Sequence, residues 1–403
     1  MDSPVLPSKG RTLRGALKPD TQAPLLWRPA IAVALASTLA GWLTWLAGYR
    51  PPEIARVVES NFFLGAHLDF EYQLLVVAKV LPAVFVAWFV MMAATFVPRK
   101  KSLPSALMAG VAMLATLFLA WGAEKSPWAV GAVMAVVIAM GPLTRRHGGA
   151  GAGLAMLVAV AFFFFAVMGI AKDLDPDGVL VQAAIGTGAA VVVLVVLWII
   201  RRLTGFALIQ QPPAKPRSTE KPPPFFSGGI AMRQALLLGA LLGTTAGLWA
   251  ATKNHNYFWV MVTFWAITQA TPDATFDRGL KRVVGVMVGC LLIGGLAVVA
   301  QPDVVVTVGF VMLYVGVVFW ARNYTVYIAS ITMMTVALHG DLENYSFGHW
   351  VLLRLADTAV GLVIGFTAYW LVITLPEIRR ARREGALAPG ATAGSGPPPP
   401  DGT

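Results

Sequence analysis

The sequence predicts an all-α polytopic membrane protein with about twelve transmembrane helices in two six-helix halves. Of its 403 residues, 57% are hydrophobic and only 13% are charged, and long uncharged apolar stretches recur along the chain. A soluble core cannot absorb so many such stretches, whereas a bilayer of roughly 30 Å needs about 20 residues for each helix. The positions of the basic residues between these stretches predict that both termini face the cytoplasm (N-in, C-in).

The charged residues and prolines divide the chain into five regions. Residues 1–29 are predicted to be a disordered cytoplasmic tail, 30–200 the first membrane half, and 201–229 a Pro-rich cytoplasmic linker. Residues 230–375 form the second membrane half, and 376–403 a basic and then low-complexity cytoplasmic tail. The predicted spans are 30–49, 73–97, 105–122, 128–143, 151–170, 178–200, 231–252, 257–270, 283–300, 304–321, 325–339 and 350–375.

The net charge of +11 does not indicate nucleic-acid binding. Most of the 31 lysines and arginines lie in the segments predicted to be cytoplasmic, as the positive-inside rule requires of a protein in the plasma (inner) membrane. Cys290 is the single cysteine, so no intrachain disulfide can form. No phosphate-binding glycine loop, metal-ligand spacing or nucleophile–base pairing stands out, and we expect no cofactor, no metal and no catalytic residue.

Three ionisable residues lie well inside predicted spans: Lys79, Arg354 and Asp357. A charge at that depth costs about 2.5–3.5 kcal/mol or more, so each needs a partner, a hydrated cavity or a function. Arg354 and Asp357 share one helix face with Gly361 and Gly365, at spacings of three and four. In one interpretation Arg354 pairs locally with Asp357, and Lys79 extends to the interface. In the other, Asp357 carries a proton while Arg354 or Lys79 binds a carboxylate substrate.

A basic segment, TPDATFDRGLKRVVGVMVG at 271–289, precedes the ninth predicted span. Arg278, Lys281 and Arg282 either anchor to lipid phosphates or form a cytoplasmic basic vestibule that concentrates an anionic substrate. Gly285 and Gly289, four residues apart, predict close approach of a neighbouring helix.

The aromatic span before this segment holds two further candidates for the pathway, Trp265 and Gln269. They lie deeper than the aromatic residues near Tyr257, which are typical of an interfacial belt. A planar ring at Trp265 would suit an aromatic acid. Another stripe of small residues, Gly239 with Gly243 and Gly247, predicts a second close helix contact.

The segment YFWVMVTFWAITQATPDATFDRGLKRVVGVMVG resembles the signature of the fusaric acid resistance protein-like (FUSC) family. In that family an aromatic-led span is followed by a Pro-Asp turn, two basic residues four apart and a Gly-x-x-x-Gly helix. The corresponding residues here are Tyr257, Trp259, Pro272, Asp273, Arg278, Arg282, Gly285 and Gly289. The resemblance covers about 229–375 and continues with Arg322-Asn323-Tyr324 and the stretch LRLADT at 353–358.

This resemblance implies an integral membrane permease of the aromatic acid exporter type. Its expected partners are the lipid bilayer and a small organic anion. The formation of a homo-oligomer is a further possibility that the sequence leaves open. The chain departs from the family at Val286, where a threonine is common, and it lacks the large cytoplasmic domains of longer members. Regulation carried by those domains is therefore in doubt.

Other interpretations stay open at the level of sequence. A passive anion channel of the same fold would use the same residues without proton coupling. Asp277-Arg278-Gly279 is also similar to a loop of the major facilitator superfamily, although the spacing differs. A membrane-embedded enzyme or assembly component could use polar residues of the last outer loop, namely His339, Asp341, Glu343 and His349. The acidic run Asp173, Asp175 and Asp177 fits a solvated turn or, less well, a cation site.

Overall fold

A computed structural model describes residues 23–48, 70–95, 97, 101–145, 149–167, 174–205, 228–253, 255–269, 272–342 and 347–383. All regular structure within these ranges is helical. The helices are α1 Trp27–Leu46, α2 Phe70–Thr95, α3 Ser102–Ala123, α4 Pro127–Arg145, α5 Gly149–Phe162, α6 Pro176–Thr204, α7 Gly228–Thr252, α8 His255–Ile267, α9 Pro272–Val299, α10 Pro302–Phe319, α11 Tyr324–Leu342, α12 Phe347–Tyr369 and α13 Leu375–Arg383. A π-helical turn, Phe163–Val167, follows α5, and another, Trp370–Thr374, joins α12 to α13.

The prediction of a multi-pass α-helical membrane protein is confirmed. In the part of the chain that the structure describes, seven helices are long and apolar enough to cross a bilayer, and five apolar helical segments are shorter. The seven are α1, α3, α4, α6, α7, α9 and the helix that α12 begins. The number of twelve crossings, the division into halves and the orientation of the termini stay predictions.

Each predicted span corresponds to one helix, and two helices extend well beyond the apolar stretch that predicted the span. Helix α9 begins at Pro272, eleven residues before the predicted span 283–300, so the basic segment is itself helical. A proline at the first helical position costs no hydrogen bond, because that N–H would have no partner in the helix. The last span continues through its π turn into α13 and ends at Arg383. Most of the predicted tails and linker (1–22, 206–227 and 384–403) lies outside the described residues.

The acidic run before α6 contains the cap of that helix. The Asp175 carboxylate oxygen Oδ1 accepts a hydrogen bond from the Gly178 backbone N–H at 2.7 Å, and Pro176 opens the first turn. An N-cap of this kind satisfies one of the N–H groups that the helix leaves free. Asp173 lies outside the described residues.

Helices α1, α2, α3 and α6 pack together in the first half. Pro82 interrupts the hydrogen-bond ladder of α2, and the next backbone N–H, that of Ala83, donates instead to the Gln182 side-chain oxygen at 3.1 Å. Gln182 is fully buried in α6. The backbone N–H that follows Pro82 therefore has a polar side chain of another helix as an acceptor.

Helices α1 to α6 contact helices α7 to α12 through a glycine-lined crossing of α4 and α7. A Cβ atom built on Gly243 would lie 2.7 Å from the Ala135 Cβ and 2.8 Å from the Gly131 carbonyl oxygen. One built on Gly131 would lie 2.7 Å from the Gly243 carbonyl oxygen. A second contact joins α1 to α10, where the Leu26 N–H donates to the Val318 carbonyl at 2.9 Å. The two groups of helices are thus packed directly on each other.

Candidate anion pathway in the second half

The sequence predicts one face of α12 that carries Arg354, Asp357, Gly361 and Gly365, and this face packs on α8. A Cβ built on Gly361 would lie 2.6 Å from the Thr263 Cβ and 2.9 Å from the Val260 carbonyl oxygen. One built on Gly365 would lie 2.8 Å from Ile267 Cδ1. Only glycine allows the two helices to approach this closely, and the approach buries the polar residues on the same face of α12.

Arg354 is buried on this face, with 3% of its surface exposed. Its guanidinium carbon lies 3.8 Å from the centroid of the Trp259 ring on α8. Such a cation–π contact contributes about 2 kcal/mol when it is desolvated, but it leaves the N–H donors unused. Nε and Nη1 of Arg354 have no hydrogen-bond partner among the described residues. Two donors of a buried cation are therefore available to water or to an anion.

Asp357 lies one turn further along α12 and is also buried, with 5% exposed. Its carboxylate oxygen Oδ2 accepts no hydrogen bond from the described part of the chain. The orphaned atoms of Asp357 and Arg354 thus do not satisfy each other, although the residues share a helix face. A local pair, one of the two interpretations of the sequence, is not formed through these atoms.

Arg282 brings a second buried guanidinium to the same region from α9. Only 2% of its surface is exposed, and its Nε and Nη2 have no partner within the described ranges. Helices α9 and α12 pack on each other here, since the buried cluster of Val286, Cys290 and Ile328 contacts Val351 and Leu355 of α12. Two buried like charges with unused donors form an electropositive interior that an anion would stabilise.

The other basic residues of α9 are less buried. The Arg278 guanidinium carbon lies 3.9 Å from the centroid of the Tyr324 ring at the start of α11. Lys281 is half-buried on the same helix. Of the three residues that the sequence predicted as one vestibule, Arg282 is thus buried, Lys281 is half-buried and Arg278 stacks on an aromatic ring.

Helix α11 packs closely on α9 at the two predicted glycines. A Cβ built on Gly285 would lie 2.7 Å from the Thr325 carbonyl oxygen, and one on Gly289 would lie 2.6 Å from that of Ala329. Near this contact α11 carries three buried hydroxyl groups that have no partner among the described residues. They belong to Thr325, Ser330 and Thr332.

The two remaining α8 candidates make different contacts. Trp265 is half-buried, and its ring centroid lies 6.1 Å from that of Phe163 in the π turn after α5. The Gln269 side-chain nitrogen donates to the carbonyl oxygens of Ala266 and Thr268, so it is used within the turn that follows α8. The Gln269 backbone N–H donates to the Thr275 hydroxyl at 3.0 Å, which ties that turn to α9.

Some candidates are only partly described. Lys79 lies in α2, but its side chain is outside the described residues, and so are the side chains of His339, Asp341 and Glu343. His349 is exposed at the start of α12.

Sequence reasoning missed Trp259 as the partner of Arg354 and missed the hydroxyl groups of α11. An arginine inside a span needs an acceptor or a ring, and Trp259 lies in the adjacent aromatic span. That requirement predicts an aromatic or acceptor partner for Arg354, but the sequence does not indicate which of the aromatic rings faces the guanidinium.

Residues 235–368 match the family model described as fusaric acid resistance protein-like. No curated protein and no solved structure matches the chain. The matched region begins within α7 and ends within α12, so it contains the buried arginines, Asp357 and the hydroxyl groups of α11.

Proposed function

Because residues 235–368 place this chain in the fusaric acid resistance protein-like family, we propose that it is a permease that exports small organic acids. The substrates are aromatic carboxylic acids, the membrane is the plasma membrane, and export is coupled to the movement of protons. The match to the family supports a role in membrane transport, and the contacts in the second half support the more specific statements.

One observation carries the proposal: among the described residues, buried polar atoms without a hydrogen-bond partner are concentrated in α9, α11 and α12. Eight such atoms belong to Arg282 (Nε, Nη2), Thr325 (Oγ1), Ser330 (Oγ), Thr332 (Oγ1), Arg354 (Nε, Nη1) and Asp357 (Oδ2). Each would cost about 1–3 kcal/mol in a dry interior, so together they would cancel the whole net stability of about 5–15 kcal/mol. We therefore propose that water or a polar solute occupies this region, since buried ionisable groups between membrane helices mark substrate and ion pathways.

The side chains around Arg354 favour an aromatic carboxylate over a simple inorganic anion. The unused N–H groups of Arg354, at Nε and Nη1, can each donate a charge-assisted hydrogen bond to a carboxylate oxygen. The Trp259 ring belongs to a series in which Phe258 lies 4.5 Å from it and Phe163 lies 4.7 Å from Phe258, measured between centroids. An acid bound at Arg354 would have its ring near aromatic side chains, which contribute about 0.5–1.5 kcal/mol for each ring pair.

Asp357 is the group proposed to couple export to protons. It is an acid within one turn of the proposed carboxylate site, and its Oδ2 is free to take a proton. A bound anion and an ionised Asp357 repel each other, so protonation of Asp357 would favour anion binding at Arg354 and deprotonation would favour release. Because anion binding at Arg354 depends on the protonation of Asp357, movement of the anion is coupled to movement of the proton.

The test of the anion site is transport of radiolabelled benzoate by the purified protein in proteoliposomes. Arg354→Gln should lower kcat/KM by about tenfold or more, since a hydrogen bond to a charged group contributes about 1.5–3 kcal/mol. Arg202→Gln is the matched control, because its guanidinium also lies on a tryptophan, 5.3 Å from the Trp198 ring, but is exposed. Equal effects of the two variants would remove Arg354 from the proposal.

Proton coupling is tested separately with Asp357→Asn. This variant should lose uphill benzoate transport under an imposed pH difference and keep downhill flux. Unimpaired uphill transport would exclude Asp357 as the coupling group. The two buried arginines also suit a passive anion channel, which is the second candidate function. Wild-type protein that dissipates a benzoate gradient but never accumulates benzoate under a pH difference would establish the channel instead.

Arg278 and Arg282 are proposed to draw the substrate toward the pathway. Their double replacement by glutamine should raise the apparent KM for benzoate, because the positive charge that concentrates an anion is removed. A change only in the amount of protein inserted would instead indicate lipid anchoring.

A further inference from the structure

We infer that the chain holds one anion pathway, located in the second half, and that the first half is a sealed copy of the same helix arrangement. Sealed means that the positions equivalent to Arg282, Arg354 and Asp357 hold side chains that are apolar or fully hydrogen-bonded. The inference rests on the proposed function, since it concerns where the pathway lies.

The first line of evidence is that most of the helix pairs that pack in the first half also pack in the second half when six is added to each number. The α1–α2, α2–α3, α2–α6, α3–α5, α3–α6 and α4–α5 contacts recur as α7–α8, α8–α9, α8–α12, α9–α11, α9–α12 and α10–α11, whereas α1–α6 and α11–α12 have no such counterpart among the main contacts. Two of the contacts between the halves, α4–α7 and α10–α1, are also exchanged by this operation when the twelve helices are counted as a closed cycle. A parallel repeat related by an axis along the membrane normal has this property.

The second line of evidence is the residue register, which the close contacts of two glycines define. A Cβ built on Gly186 of α6 would lie 2.5 Å from the Ala83 carbonyl oxygen. It would lie 2.6 Å from the Cβ of Val86, which is three residues after Ala83 in α2. The equivalent atoms around Gly361 of α12 are those of Val260 and Thr263, again three residues apart. Gly186 therefore corresponds to Gly361, and Ala83 of α2 corresponds to Val260 of α8.

This register is supported by other residues. Counting five residues onward from Ala83 and from Val260 reaches a tryptophan in both helices, Trp88 and Trp265. In the third helix of each half, Gly110 of α3 faces Thr187, and Gly279 of α9 faces Leu362 and Phe366. Thr187 and Leu362 are each one residue beyond the paired glycines, so Gly110 corresponds to Gly279.

Counting from these anchors identifies the equivalents of the three charged residues. Arg282 is three residues after Gly279, and Met113 is three residues after Gly110. Arg354 and Asp357 are seven and four residues before Gly361. The residues seven and four before Gly186 are Val179 and Gln182.

The three equivalents share burial with the charged residues but not their chemistry. Met113, Val179 and Gln182 are all fully buried. Methionine and valine offer no hydrogen-bond donor, and the Gln182 side-chain oxygen accepts a hydrogen bond from the Ala83 N–H, next to Pro82. These positions of the first half therefore neither attract an anion nor require water, while the same positions of the second half do both.

The test compares water access at matched positions in the two halves. Thr358 lies three residues before Gly361 and Ala183 lies three before Gly186, and both are small and buried. In a Cys290→Ser background, Thr358→Cys and Ala183→Cys would be reacted with a membrane-impermeant anionic methanethiosulfonate in membrane vesicles of both orientations. We expect Thr358→Cys to react about tenfold faster or more, because a thiolate forms readily only where water is present.

The outcomes separate this inference from the function on which it rests. Comparable reaction at both positions would overturn the single pathway and leave a permease with two. Reaction at Ala183→Cys alone would place the pathway in the first half and would also overturn the inference. No reaction at either position would remove the hydrated pathway, and the proposed function would fail with it.

A second measurement guards against misfolding of the cysteine variants. Met113→Leu and Val179→Ile, confirmed as monodisperse by size exclusion, should transport benzoate at the wild-type rate. Loss of benzoate transport in these folded variants would show that the first half contributes to the pathway, and this would overturn the inference.

Discussion

Replacing Gly289 with alanine tests the close contact between α9 and α11 on which the candidate pathway depends. The added Cβ would lie 2.6 Å from the Ala329 carbonyl oxygen and 2.8 Å from the Thr332 Cβ. An ordinary contact begins at 3.4 Å, so the helices must separate here by about 0.8 Å, the difference between 3.4 and 2.6 Å. A gap of that size forfeits a quarter to a half of the dispersion energy across the contact. We expect a loss of about 1–3 kcal/mol of stability.

Gly295→Ala on the same helix is the matched control. A Cβ there would meet nothing within 4 Å, and the residue is exposed. Alanine should stabilise α9 at this position by about 0.5–1 kcal/mol, since glycine is a poor helix former. The two variants should therefore differ by about 1.5–4 kcal/mol in opposite directions. Thermal unfolding in detergent, followed by tryptophan fluorescence, measures the difference. Equal Tm changes, or a more stable Gly289→Ala variant, would refute the packing argument.

Three further substitutions address contacts elsewhere in the bundle. Gln182→Leu should cost about 1–3 kcal/mol because it leaves the Ala83 N–H unpaired, whereas Gln182→Glu keeps an acceptor; denaturant titration compares the two. Asp175→Ala should cost about 1 kcal/mol by removing the cap of α6, and Asp175→Asn should restore most of it, again by thermal unfolding. Arg233→Ala breaks the 2.8 Å ion pair with Glu377. Because the Arg233 side chain is 41% exposed, the cost should stay below about 1 kcal/mol and vanish at high salt.

The existence and order of the helices follow from the sequence because lipid allows few alternatives. An uncharged stretch long enough to cross must satisfy its own backbone hydrogen bonds, and a helix does so. The predicted span 283–300 begins eleven residues after the start of α9, because the segment after Pro272 is polar and a span was assigned only to the apolar part of the helix. Polarity limits where a helix can contact lipid, but it does not limit where the helix can begin.

The candidate site was predictable only along a single helix. The spacing of Arg354, Asp357 and Gly361 places them on one face, since helix geometry alone fixes that relation. Which ring covers Arg354 depends on how α12 and α8 are aligned, and the spacing within one helix contains no information about alignment. The burial of Arg282 was not predicted for the same reason: in the sequence it is one of three neighbouring basic residues.

The helix formed by α12, its π turn and α13 is continuous and connects the buried Arg354 to Glu377. Arg354 and Glu377 are 23 residues apart on it, or about 35 Å at 1.5 Å per residue. A pivot of about 5° at the Glu377 end would displace the Arg354 end by about 3 Å, roughly the length of one hydrogen bond.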